Sequence, residues 1–264
     1  MLMTLGLAKN RCSPIAVDFG VDSLKLLQLV PTDPPQMVAA AAAQMPAETR
    51  TNPALRHQFL VETLRKLLKN GGFKGRRAIC SIPAYQTLVQ HLEIAKVEHE
   101  DLDEQIGLHL RQRLNVDPSR MVVRSFLAGQ LARDGAPKQE VICLAASREA
   151  VLRYLETAHR AKLDVVGMHA EHPALVRAFG HLFRRAADAE RTTCFIDIGA
   201  GSTKVVITHG QQMVFAKTIH AGGDQITRAA AERDGVSFDE ARQRRPRRPA
   251  AAAPAPAPAA PPDA

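Results

Sequence analysis

The stretch Phe195-Ile-Asp-Ile-Gly-Ala-Gly-Ser-Thr-Lys204 decides how this chain is read, because it has a counterpart near the start, Ile15-Ala-Val-Asp-Phe-Gly-Val-Asp-Ser-Leu-Lys25. Each copy is a short apolar strand, an Asp, a Gly two residues on, a Ser five residues on, and a second strand. A single Asp-x-Gly at a strand end is an ordinary turn signal. Two copies in one register, each flanked by strands, have the composition of a phosphate clamp between two lobes. The Gly lets backbone approach closely, turn N–H groups and hydroxyls donate to phosphate oxygens, and the Asp can hold a metal or its water. The second copy runs on through a hairpin at Gln211-Gln212 to Ala221-Gly-Gly-Asp-Gln-Ile-Thr227, which opens a helix.

Composition narrows the function classes. The chain has 264 residues, enough for one large or two modest domains with their own cores. Aromatic residues make up 4% and Trp is absent, which argues against base stacking on nucleic acid. The formal charge is +8, and residues 242–264 alone contribute five Arg and one Asp, so the body is only mildly basic. The four cysteines (Cys12, Cys80, Cys143, Cys194) form no C-x-x-C pair, and the last three lie in apolar strand-like runs. Buried free thiols in a reducing compartment are expected. No apolar run reaches membrane-spanning length. The short apolar start, Met1 to Leu7, precedes Lys9 and Arg11, the wrong order for a secretory signal, and reads as a frayed terminus.

Periodicity places the remaining elements. Strands are predicted over 14–19, 24–30 and 36–45, then a helix from Asn52 to Asn70 with an Asn-Pro start and a Gly71-Gly72 stop. A strand follows over Arg77 to Ile82. A second unit begins near Gln86: strand Leu88 to Ile94, helix Glu98 to Leu114, strands Met121 to Phe126 and Glu140 to Ala146 around a polar loop at Asp134-Gly135, and a helix from Ser147 to about Ala161. This order is a compact α+β insertion, not a βαβ repeat. Strand Leu163 to Ala170 and helix His172 to Ala187 return to the first unit, and Arg191 opens the second lobe. The acids at the start of the Glu98 helix and the Arg at its end complement the helix dipole, which explains them without catalysis. His169-Ala-Glu-His172 sits at a strand–helix junction where the two rings need not share a face, so it is not read as a metal site. No nucleophile–base set emerges, and Ser23 and Ser202 read as phosphate donors or caps. After Arg242 the Arg/Pro/Ala tail cannot bury a core and is expected to be disordered.

The blocks Val17-Asp-Phe-Gly, Ile82-Pro, Gln86 to Ile94, Val141-Ile-Cys-Leu-Ala-Ala-Ser-Arg-Glu-Ala150, Phe195 to Lys204 and Ala221 to Thr227, in this order, resemble the PilM family of type IV pilus assembly proteins, itself similar to the cell-division protein FtsA. The resemblance covers roughly residues 13–243. It implies an α/β, actin-like (ribonuclease H-like) ATPase fold. The first lobe would be 13–85 and 163–190, the inserted α+β subdomain 86–162 and a partial second lobe 191–243, with flanking segments 1–12 and 244–264. By the same resemblance Asp18, Gly20, Ser23 and Lys25 match the first phosphate motif, and Asp197, Gly199, Ser202 and Thr203 the second. Asp18 and Asp197 are the metal positions. ATP and Mg²⁺ are the implied cofactors, and the implied partner is the cytoplasmic N-terminal peptide of the inner-membrane protein PilN, docked in the first lobe against the inserted subdomain.

One departure qualifies this. Family members continue for roughly another hundred residues, and no Gly-Gly-Gly-type adenosine loop occurs here, so the expectation is a C-terminally incomplete second lobe with impaired nucleotide binding and a tendency to self-associate through uncovered strands. The favoured function is a non-catalytic assembly protein, peripheral at the inner face of the cytoplasmic membrane. The alternatives are an ATPase or small-molecule kinase of the same fold, which would need an acceptor site and a fully held nucleotide, and nonspecific nucleic-acid binding through the Arg tail.

Overall fold

The computed structural model describes residues 12–95, 99–133, 136–183 and 185–244. The expectations for the N-terminal segment, the first residue of the Glu98 helix, the Asp134-Gly135 loop and the tail beyond Arg244 lie outside these residues.

The first sheet follows from alternation. In β1 (Ile15–Phe19) the residues Ile15, Val17 and Phe19 are buried, which turns Asp18 to the opposite face. β1 pairs antiparallel with β2 (Ser23–Val30), which pairs with β3 (Gln36–Gln44). The one-turn helix α1 (Ala47–Thr51) leads into α2 (Pro53–Asn70). The Asn52 side chain accepts from the N–H groups of Ala54 and Leu55, Pro53 supplies the first turn, and the Gly71 N–H closes on Leu67 O. β4 (Arg77–Ile82) lies parallel to β1.

The insertion follows as β5 (Leu88–Ala95), α3 (His99–Leu114), β6 (Met121–Arg133) and β7 (Ala136–Ser147), with sheet order β5-β7-β6. One face packs Leu92, Ile94, Val141 and Cys143 on Ile106 and Leu110 of α3. β6 and β7 are longer than predicted, because β7 is the central strand and its backbone pairing continues to Arg133↔Ala136 past the apolar alternation.

α4 (Arg148–Arg160), capped by Ser147, corrects the predicted insertion boundary. Its Tyr154 and Ala158 join Ile15, Phe19, Leu60 and Leu64 in the core of the first sheet, with the Tyr154 ring 4.8 Å from that of Phe19. The helix therefore packs with the first lobe. β8 (Asp164–Ala170) completes the first sheet, in the order β3-β2-β1-β4-β8. α5 (Glu171–Ala178) is shorter than predicted. Gly180, poor in a helix interior, follows it, and Phe179 and Phe183 turn to pack on Phe195 at 5.4 and 6.2 Å between ring centres.

The last sheet has the order β11-β10-β9, built from β9 (Thr192–Ile198), β10 (Thr203–His209) and β11 (Gln212–Ile219). Its hairpin turn is Gly210-Gln211, with Gly210 at φ +56°, one residue earlier than predicted. Val206, Met213 and Ala216 pack against Ile142 and Leu144 of the inserted sheet. β9 is an edge strand whose outer face carries Cys194, Ile196 and Ile198, the two Ile being 63% and 65% exposed. Cys194 is thus exposed, contrary to expectation, because it shares the outward register of these Ile. Cys80 and Cys143 are buried, and burial pushes their thiols up to about 12 and about 11.

The chain divides into two compact units, the second starting at Asp224. It contains most of α6 (Gly223–Asp234) and all of α7 (Phe238–Arg244). A reciprocal cap starts α7: the Ser237 hydroxyl accepts from Glu240 N, and the Glu240 carboxylate accepts from Ser237 N.

Candidate functional site

The repeated motif folds the same way twice. In the first copy Phe19 pairs with Leu24 and Asp18 with Lys25. In the second, Ile198 pairs with Thr203 and Asp197 with Lys204. Each turn holds four residues between its last pairs, and each Asp stands directly across the hairpin from a Lys. The Gly after each Asp is required by the turn itself. A Cβ on Gly20 would sit 2.7 Å from Ser23 O, and one on Gly199 3.0 Å from Ser202 O. A Cβ on Gly201 would meet Val21 Cγ1 at 3.2 Å, so the tips of the two turns touch.

Between the turns lies a cleft of about 560 Å³, lined by both motifs, the end of β4 and the β8–α5 junction. That size suits a small-molecule site. On one side Lys25 Nζ is 3.1 Å from Asp18 Oδ2, and the Ser81 hydroxyl donates to Asp18 Oδ1 at 3.1 Å. On the other, Lys204 Nζ is 2.7 Å from Glu171 Oε2 and 2.8 Å from Asp197 Oδ2. The first pair is solvated, with side chains 57% and 40% exposed. The second is largely withdrawn from water, Lys204 being 10% and Glu171 17% exposed. Burial alone would lower the Lys204 pKa, but Glu171 and Asp197 outweigh it and hold the ammonium above its ordinary value.

His172, next to Glu171, is fully buried, with Nε2 3.0 Å from Thr218 Oγ1 of β11. Burial, helped by the Lys204 charge, pushes it down to about 4. Its folded pKa lies below the unfolded value, so the unfolded chain takes the proton first. The stability it contributes is present above about pH 6.5 and is lost as pH falls toward 4. Urea unfolding at stepped pH should therefore lose up to about 3 kcal/mol between pH 7 and 4. His172→Gln should flatten that dependence; an unchanged slope in the variant would assign it elsewhere.

Of the residues expected from sequence, Asp18, Gly20, Lys25, Asp197, Gly199 and Ser202 line the cleft. Ser23 and Thr203 do not: the Ser23 hydroxyl donates to Asp22 Oδ1 of its own turn at 3.0 Å, and that of Thr203 to Ala221 O, just past β11, at 2.7 Å. Sequence reasoning missed Lys204, Glu171, Ser81 and Arg56. The first had a signal, a Lys seven residues after the Asp in both copies. Glu171 lies inside the tetrapeptide considered for its histidines. Arg56 falls in the i, i+4 stripe with Leu60 and Leu64 on α2, and its guanidinium donates to Gly20 O and Val21 O at 2.8 and 3.1 Å, bracing the first turn from behind.

The arrangement fits the phosphate end of a nucleotide better than a divalent ion. Lys25 is half-exposed beside two glycine turns. By contrast both Asp18 oxygens and one Asp197 oxygen already have partners, and no group of three His, Cys, Asp or Glu that could hold a metal occurs among the described residues.

Comparison with known proteins agrees with this architecture. The family described as "Type IV pilus assembly protein PilM" matches residues 16–250. Among solved structures the chain resembles one from a PilM-PilN type IV pilus biogenesis complex, with a TM-score of 0.74 at 20% identity over 87% of this chain and 68% of that one. The ethanolamine utilization protein EutJ from Carboxydothermus hydrogenoformans aligns with a TM-score of 0.50 at 14% identity, over 88% of this chain and 60% of that one. The cytoplasmic domain of EpsL, an inner-membrane component of the Vibrio cholerae type II secretion system, does so with 0.50 at 12% identity, over 82% and 74%.

Proposed function

The chain belongs to the type IV pilus assembly protein PilM family and has its actin-like ATPase fold, and from that premise we propose that it is a non-catalytic assembly protein that holds the cytoplasmic N-terminal segment of a PilN-like inner-membrane partner. The observation that carries the non-catalytic reading is the Lys204 cluster. Glu171, the buried acid at the cleft, is in contact with an ammonium at 2.7 Å and is not free to activate a water.

The docking reading rests on the inserted sheet. Among the described residues β5 pairs only with β7, which leaves its outer backbone edge for an extended peptide, and α3 covers the face beside it. Attachment through such a partner would keep the protein at the inner face of the cytoplasmic membrane. No helix among the described residues is long and apolar enough to cross it.

The cleft retains a reduced nucleotide function. Lys25 and the backbone of the two turns would hold phosphate oxygens, while Asp18 and Asp197 would be left as weak metal positions because their charge is already met by Lys25 and Lys204. Mg²⁺, when bound, would supply charge neutralisation for the phosphates. Calorimetry should give ATP a Kd on the order of 100 µM or weaker, changed less than about threefold by EDTA, with no phosphate release above buffer. Micromolar binding that needs Mg²⁺, or steady turnover, would contradict this reading.

A further inference from the structure

A second cavity lies behind the first turn, away from the cleft. It encloses about 220 Å³ between α2, α4 and the Tyr85-Gln86 turn. Three guanidinium groups line it, those of Arg50, Arg56 and Arg153, together with His57, and no carboxylate does. The rings of Tyr85 and Tyr154 and the side chain of Leu60 form its apolar wall.

Arg56 is the group that asks for a ligand. It is 9% exposed, and its terminal nitrogens meet Gly20 O, Val21 O and Met45 Sδ, with the Tyr154 hydroxyl also in hydrogen-bonding contact with the guanidinium. No carboxylate pairs with it among the described residues, and its Nε is buried without a partner. A buried cation without a carboxylate partner is costly, whereas Arg153 at the rim meets Glu149 Oε1 at 2.8 Å. Across the same cavity Gln86 Oε1 is a buried acceptor without a donor. The two orphaned atoms are complementary to one kind of molecule: an oxyanion for the guanidinium groups and a hydroxyl for the amide oxygen.

We propose that this cavity is a binding site for a small hydroxyl-bearing phosphate, a polyol phosphate free in solution or carried as a lipid headgroup. Arg153 and Arg50 contact it from the rim and Arg56 from the floor. Because Arg56 also holds the carbonyls of Gly20 and Val21, an anion bound there pulls on the same side chain that braces the first cleft turn.

Glycerol 3-phosphate is the probe, titrated calorimetrically into the full chain at low salt. The expected Kd is on the order of 100 µM, and Arg153→Gln, at a half-exposed position outside the core, weakens it about tenfold. Lys25→Ala, which alters the cleft alone, leaves it within about twofold. Circular dichroism confirms that both variants are folded. No heat at millimolar ligand, an Arg153→Gln variant that binds as the parent does, or equal loss in Lys25→Ala would overturn the site. A parallel sedimentation uses phosphatidylglycerol vesicles. Co-sedimentation lost in Arg153→Gln assigns the phosphate to a headgroup. Calorimetric binding without co-sedimentation assigns it to a free polyol phosphate.

Discussion

Lys204→Ala is expected to be the most destabilising single change in the cleft. The ammonium answers both Glu171 and Asp197, and Glu171 is 17% exposed. Removing one partner of a buried pair leaves an uncompensated charge, a loss of about 3–5 kcal/mol in well-enclosed cases. Asp197 is 48% exposed and can be rehydrated, so about 2–3 kcal/mol is the expected loss here. For a chain of this size that lowers the unfolding midpoint by about 5–10 °C. Lys25→Ala, at the matching position of the first motif, breaks a solvated pair and should lose less than about 1 kcal/mol. Two symmetric sequence positions are therefore predicted to behave differently for a reason visible only in burial. Glu171→Gln in the Lys204→Ala background should restore part of the loss, since it removes the stranded charge. Equal melting of the two Lys variants would show that the cluster does not hold the cleft together.

The contrast marks how much was legible in the sequence. The hairpins were, because strict alternation in β1 and β10 sends Val17 and Val206 inward; Asp18 turns to the face opposite Val17, whereas Asp197 of β9 lies on the face of Phe195, the partner of Val206. The shared register of the two motifs was enough to place both at one cleft. Lys204 could have been found by extending that register to the seventh residue. Glu171 could not: it meets Lys204 across 33 residues of sequence, and only the folded junction of β8 and α5 brings them together. The insertion boundary was misjudged because α4 follows β7 without a break, and nothing local shows that Tyr154 faces Phe19. The resemblance placed the hydroxyls of Ser23 and Thr203 in the phosphate motifs, whereas the fold gives Ser23 to its turn neighbour Asp22 and Thr203 to Ala221 O past β11.

The second large effect concerns the partner. An extended peptide that adds to β5 gains affinity from backbone pairing, so its own amide hydrogens are required. N-methylation of alternate peptide amides removes these donors without touching the protein, and should weaken binding at least tenfold if several bonds of about 1 kcal/mol each are lost. The side chains of the peptide are unchanged by this, which separates edge pairing from simple apolar contact.

Fluorescence anisotropy with the labelled cytoplasmic N-terminal segment of the PilN-like partner is the measurement that bears most directly on the assembly role. The full, folded chain is expected to bind it with a Kd on the order of 10 µM, and the N-methylated peptide at least tenfold more weakly. No anisotropy change with the folded protein at several hundred micromolar would contradict the assembly role; equal binding of both peptides would contradict docking on the β5 edge.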